Sequence, residues 1–349
     1  MLKTLSLAGV VGTVLGAAEK IRSQEFYAHW SGHEVAHLNA VIGHVRSATS
    51  DAAVLWLAGD SALDNKFWLS PNNPTNVHKY SRDAENAFHT DPLTDPSYTA
   101  EALNGYEGVL EGRMVRDVTY NLNAQASSRK MSLVTVNTAV EASTLEGREV
   151  SLLDADEVIR DNIQPQDVLV VHVGANDILF STGGGLPSPE KLQEIFLVRL
   201  KNFVERLTEK TKPSLVVLCG TYYPGLEGGR SWATEALDAL GYSKEGDPSI
   251  LKGLVDQVFT NFVSRVEVGG VKVVPLQLSA ALDGSEEGAY VQRVEPSVQG
   301  GGKLAGLILD LVEKEKENAV SEETGAEEES EKETPSLRGT ASGPTMVLS

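Results

Sequence analysis

A chain of 349 residues, 41% of them hydrophobic, is long enough for one large domain or two ordinary ones with a substantial core. A net charge of -19 repels nucleic acid and anionic membrane surfaces and argues against any phosphate-tracking role. The single cysteine, Cys219, excludes an internal disulfide and a metal site built from cysteine alone.

Residues 1–18 carry Lys3 and then an apolar stretch from Leu5 to Ala18. The stretch is short for a transmembrane helix, which needs about 20 residues. It suits the core of a signal peptide or anchor, with Gly16-Ala17-Ala18 as small residues for cleavage. A short buried helix is the alternative, so secretion or anchoring and a cytoplasmic residence stay open. Residues 19–50 read as an N-terminal helical extension. Phe26, Trp30, His37, Leu38, Val41, Ile42 and Val45 recur at helical spacing and predict a helix over 24–46. Inside it lies His33-Glu34-Val35-Ala36-His37. On a helix that spacing puts two imidazoles on one face, with the glutamate placed to polarise a metal-bound water. The extended zinc-peptidase pattern is not continued, because Ala40 and Gly43 stand where it wants glycine and histidine. His33 and His37 are therefore weak metal candidates, and no metal or cofactor is expected.

An apolar strand over Ala53–Ala58 runs into Gly59-Asp60-Ser61. Residues 62–130 read as a long insertion rich in turn formers and aromatics, of the kind that shapes a pocket. Further strands are predicted at 132–137, 167–173, 214–219 and 271–278, and helices at about 188–211, 248–265 and 298–316. Strands of continuous apolar residues alternating with helices predict a parallel sheet covered on both faces. Residues 317–349 are acidic and rich in Ser, Thr, Gly and Pro, and read as a disordered, solvated tail.

Gly59-Asp60-Ser61 alone is turn material. It gains weight from Gly174-Ala175-Asn176-Asp177, which follows the third strand at the equivalent edge. There Gly174 permits a tight strand exit, and the Asn176 amide can donate to an anion. With these residues the chain resembles the SGNH/GDSL hydrolase superfamily. Gly59-Asp60-Ser61 looks like its first block, Asn137–Thr144 is similar to its second, and Gly174–Asp177 matches its third. Val294-Glu295-Pro296-Ser297, followed by Gly300-Gly301, sits where its fifth block belongs. The blocks place an SGNH-like domain at 51–316. The resemblance implies a three-layer α/β/α sandwich around a five-stranded, flavodoxin-like parallel sheet. It also implies hydrolysis of a small-molecule ester or acyl substrate, with Ser61 as nucleophile. The oxyanion would be held by the N–H of Ser61, the N–H of Ala142 and the side chain of Asn176.

The sequence departs from that pattern twice. Ala142 replaces the usual glycine of the second block, and Gln292-Arg293-Val294-Glu295 replaces the usual Asp-x-x-His of the fifth. The proton acceptor is then Glu295, whose pKa burial would raise into a useful range, or a histidine from elsewhere: His78, His89 or His172. Two other readings stay open, an SGNH-fold ligand-binding protein with impaired catalysis and a zinc peptidase using His33, Glu34 and His37. The oligomeric state is open too.

Overall fold

The computed structural model describes residues 19–48, 52–70, 93–182, 186–227 and 231–332. The N-terminal stretch 1–18, His78, His89 and residues 333–349 lie outside them. Among the described residues, no helix is long and apolar enough to cross a membrane.

Five parallel strands form the central sheet: β1 (Ala53–Gly59), β2 (Leu133–Asn137), β3 (Val168–His172), β4 (Leu215–Gly220) and β5 (Val273–Gln277). Their order is β2-β1-β3-β4-β5, the flavodoxin-like order with its switch point between β1 and β3. Every residue of β1, β2, β3 and β4 is buried, as a sheet covered on both faces requires. Alternate side chains of β1 enter different cores. Val54, Trp56 and Ala58 pack with Val41 and Val45 of α1 (Val35–Ala48), with Ile159 of α3 (Asp154–Asn162) and with Val204 of α4 (Leu200–Leu207). Leu55 and Leu57 pack with Leu122 and Ala126 of α2 (Val118–Ser128) and with Leu304 and Ile308 of α6 (Val298–Lys332). Each valine, leucine or isoleucine among them contributes about 1.5–3 kcal/mol on burial. The three-layer fold implied by the sequence is the fold observed, and α5 (Ser249–Asn261) covers the sheet near β4.

Both sheet edges are managed. Buried Asn123 of α2 donates to the Thr135 carbonyl at 3.0 Å and accepts from the Thr135 N–H at 2.9 Å, standing in for a neighbouring strand beside β2. At the other edge, the partly exposed β5 carries Pro275, which an edge strand tolerates.

Several boundaries differ from the sequence reading. The helix expected over 24–46 is broken: a turn of helix covers Ser23–Phe26, and α1 begins only at Val35. Between them the Gly32 N–H donates to Asp64 Oδ2 at 2.6 Å, which ties the connection to the core and prevents a continuous helix. The insertion is shorter than 62–130, because its last part is α2. That helix is N-capped by Asp117, whose side chain accepts from the Tyr120 N–H at 2.8 Å. The final helix runs past 316 to Lys332, through a stretch rich in the good helix formers Glu and Ala.

The sheet's amino-terminal end is pinned by Asp167. Its buried carboxylate accepts from the Val54 N–H, the Trp56 indole and the Gln164 N–H, each at 2.9 Å, and pairs with Arg46. Replacing one oxygen with an amide turns an acceptor toward donors. Asp167→Asn is expected to lower unfolding free energy by about 3 kcal/mol, read as a shift of the urea midpoint.

Candidate active site

The carboxyl edge of β1 fixes the site's geometry. Gly59 adopts φ +150°, and a Cβ there would lie 1.8 Å from the His172 carbonyl oxygen. Only glycine lets β1 pass β3 this closely. Beyond it, Asp60 N–H donates to the His172 carbonyl at 3.2 Å. Leu63 and Asp64 N–H groups donate back to the Asp60 carbonyl at 3.1 and 3.0 Å, closing a single helical turn. Ser61 stands on that turn, half-buried, with its hydroxyl at the wall of a cavity of about 210 Å³.

The chain brings Glu295 to the same wall from far along the sequence. A hairpin pairs Tyr290–Val291 with Glu295–Pro296, and its turn residues Gln292 and Arg293 sit at φ +53° and +66°. These left-handed conformations are costly for residues with side chains and persist because the surroundings hold them. Arg293 donates to the carbonyls of Gly225 and Tyr242. Tyr222 Oη donates to the Val294 carbonyl at 2.6 Å, and Asn65 Nδ2 to the Pro296 carbonyl at 2.8 Å. Glu295 is thus clamped on both sides and is only 2% exposed. Burial pushes its carboxyl up to about 8; a hydrogen bond with the Ser61 side chain opposes the rise, and the charges of Asp60 and Asp64 add to it. Glu295 Oε2 has no hydrogen-bond partner among the described residues.

Asn176 lines the cavity too. It lies in the helix Ala175–Thr182, which leaves β3 through Gly174. Gly174 sits at φ +118°, and a Cβ there would come within 2.7 Å of the Phe196 ring. Asn176 Nδ2 donates to the Ser143 carbonyl at 3.0 Å, and the Ser143 hydroxyl donates to the Gly59 carbonyl at 2.9 Å. An amide nitrogen carries two hydrogens, so one remains to be given. Ala142 sits next to Ser143 at φ +59°, the conformation for which glycine is usual. Gly174 and Ala142 shape the loops around the cavity and do not line it, whereas Ser61, Asn176 and Glu295 do.

The remaining candidates have other partners. His172 lines the cavity with both ring nitrogens engaged: Nδ1 with Asp60 Oδ1 and Nε2 with Thr221 Oγ1, each at 3.0 Å. Asp64 accepts from the N–H groups of Gly32 and Glu141 and pairs with buried Lys66, and Asp177 accepts from the N–H groups of Leu145 and Glu146. Both aspartates hold loops in place. The His33-Glu34-x-x-His37 pattern loses its geometric basis, because His33 and Glu34 precede α1 rather than riding on it. His33 packs against Phe26 at 35° between ring planes, with its Nδ1 3.0 Å from the Phe26 carbonyl, and burial lowers its pKa to about 3. Glu34 lies between His29 and His37, at 3.1 and 3.7 Å. Among the described residues no three potential ligands converge as a metal site would need.

Sequence reading missed two participants. Thr221 follows β4 directly, as Asp60 follows β1, and its only signal was that position at a strand end. Buried Glu141 accepts from the Trp68 indole at 3.0 Å and lies near enough to Glu295 and Asp64 to feel their charges. Burial raises Glu141 well above the usual carboxylate range, assisted by the charges of Glu295 and Asp64.

No family model matches the chain, and no curated protein does. Solved structures do. A lipase from a goat rumen metagenome is 13% identical over 74% of this chain and 96% of its own, with a TM-score of 0.39. A psychrotrophic esterase from Pseudoalteromonas is 11% identical over 75% and 97%, with a TM-score of 0.36. Phospholipase A1 from Streptomyces albidoflavus is 13% identical over 72% and 97%, also with a TM-score of 0.36.

The buried acids impose a pH dependence on stability. Burial raises Asp117 to about 7, alongside Glu295 at about 8 and the elevated Glu141. Unfolding returns all three to ordinary carboxylate values near 4. Between those limits the folded chain binds more protons than the unfolded one, so stability falls as pH rises. Melting temperature is expected to drop from about pH 5 to about pH 8, and Glu141→Gln with Asp117→Asn to flatten the slope. A rise over that range would contradict the assignment.

Proposed function

We propose that this chain is a serine hydrolase of the SGNH type, cleaving a small neutral ester or acyl substrate at Ser61 with Glu295 as proton acceptor. The observation that carries the reading is that Ser61, Asn176 and buried Glu295 share the wall of one cavity. In the first step Ser61 Oγ attacks the substrate carbonyl and its proton passes to Glu295. The developing oxyanion is met by the N–H group of Ser61 and by the free hydrogen on Asn176 Nδ2. The leaving alcohol recovers the proton from Glu295, and water repeats the sequence to release the acid.

A solvated glutamate, near 4.3, is a poor base toward a hydroxyl. At about 8 Glu295 is a far better one, with roughly a tenth of it ionised at neutral pH. The rest of the cavity suits an apolar acyl group: Ile178, Leu179, Leu251, Leu254, Val255 and Val258 line it. Asp60 on its wall, with Asp64 near Glu295, disfavours an anionic ligand beside the reacting carbon, which is why a neutral ester fits better than a free acid.

With a medium-chain p-nitrophenyl ester, Ser61→Ala is expected to lower kcat/KM by at least about 10³-fold. Asn176→Ala should cost about 10²–10³-fold in kcat with little change in KM. Saturable ester binding without turnover in the wild type would instead favour a binding protein, and unchanged turnover in Ser61→Ala would refute the assignment.

A further inference from the structure

The cavity holds a second hydroxyl with its own hydrogen-bond chain. Asp60 Oδ1, His172 and Thr221 Oγ1 form a carboxylate–imidazole–hydroxyl series, each link 3.0 Å long. Asp60, beside Nδ1, favours the tautomer that carries its proton there, leaving Nε2 as acceptor for the Thr221 hydroxyl. The imidazole is 3% exposed and stacks on Tyr222 at 17° between ring planes, so its orientation is fixed. Asp60 is held in turn by the Ala62 N–H, which donates to the same Oδ1 at 3.2 Å. The three residues come from the ends of β1, β3 and β4, consecutive in the sheet. A histidine that merely satisfies a core would pass its hydrogen bond to a buried acceptor. This one accepts, through Nε2, from a half-buried hydroxyl on the cavity wall that also holds Ser61.

An activated nucleophile is recognised by this arrangement: a hydroxyl within reach of a base, and the base oriented by a third group. We infer that Thr221 is a second nucleophilic hydroxyl of the cavity, with His172 as its base and Asp60 orienting His172. The inference rests on the reading that the cavity takes esters. Thr221 Oγ1 forms the bond to the carbonyl carbon, and its proton moves to His172 Nε2. The bond to the leaving alcohol breaks, and that alcohol takes the proton from Nε2. Water, deprotonated by the same nitrogen, then frees the acyl group. An alkyl fluorophosphonate follows the first half: the Oγ1–P bond forms, fluoride leaves, and the proton goes to Nε2.

The test uses the full-length protein, an alkyl fluorophosphonate and peptide mass mapping, with thermal melts to confirm folding of each variant. In Ser61→Ala the label is expected on the peptide containing Thr221. The residual p-nitrophenyl ester turnover should fall at least a further tenfold on adding Thr221→Val or His172→Gln, and Thr221→Ser in place of valine should restore it. Label on Ser61 alone in the wild type, with folded Ser61→Ala unlabelled, overturns the inference and leaves the Ser61 assignment standing. Label on Thr221 alone supports it and removes Ser61 as nucleophile. No label on either residue in folded protein overturns both.

Discussion

The close approach of β1 to β3 at Gly59 is the constraint on which the carboxyl edge depends. With no side chain in the way, the Gly59 carbonyl collects the Val140 N–H at 3.0 Å, the Ser143 hydroxyl at 2.9 Å and Arg148 Nη2 at 3.1 Å. Three donors on one carbonyl tie the loop after β2 to the end of β1. That loop reaches Asn176 through Ser143, and Arg148 is itself paired with buried Asp156. The same approach puts Asp60 against His172 and sets Ser61 at the head of its turn. Any side chain at position 59 would separate all of these groups together.

Desolvation is the second organising force. Glu295, Glu141 and Asp64 share a buried region with the cation Lys66, whose partner is Asp64. Water cannot screen charges there, so the cheapest state is one in which some of the carboxyls keep their protons. A carboxyl that keeps its proton to about 8 is unfavourable for folding at neutral pH and favourable for abstracting a hydroxyl proton. The stability lost and the basicity gained have one physical origin.

The sheet was legible because its strands are buried on both faces and read as unbroken apolar runs. The order of blocks along them singled out Ser61, Asn176 and Glu295, which line one cavity. Helix α2 was not legible, because its apolar residues are few and its buried asparagine serves the edge of β2 rather than a hydrophobic stripe. The N-terminal helix was misread because Phe26 and Trp30 keep helical spacing across a connection held by Asp64, a contact 32 residues away in sequence. The His33–His37 pair failed for the same reason. Thr221 and the His172 link to it were invisible because hydrogen bonds between different strand ends have no signature in local sequence.

The account turns on whether Glu295 receives the Ser61 proton. The most direct measurement is the rate of fluorophosphonate capture at Ser61 as a function of pH, read by mass mapping of the Ser61 peptide in wild type and Glu295→Gln. The base must be ionised to act, so the wild-type rate is predicted to climb with pH through a midpoint of about 8. In Glu295→Gln that limb should vanish and the rate fall by about 10²–10⁴-fold. A Ser61 capture rate with the same pH profile and magnitude in both proteins would contradict the account.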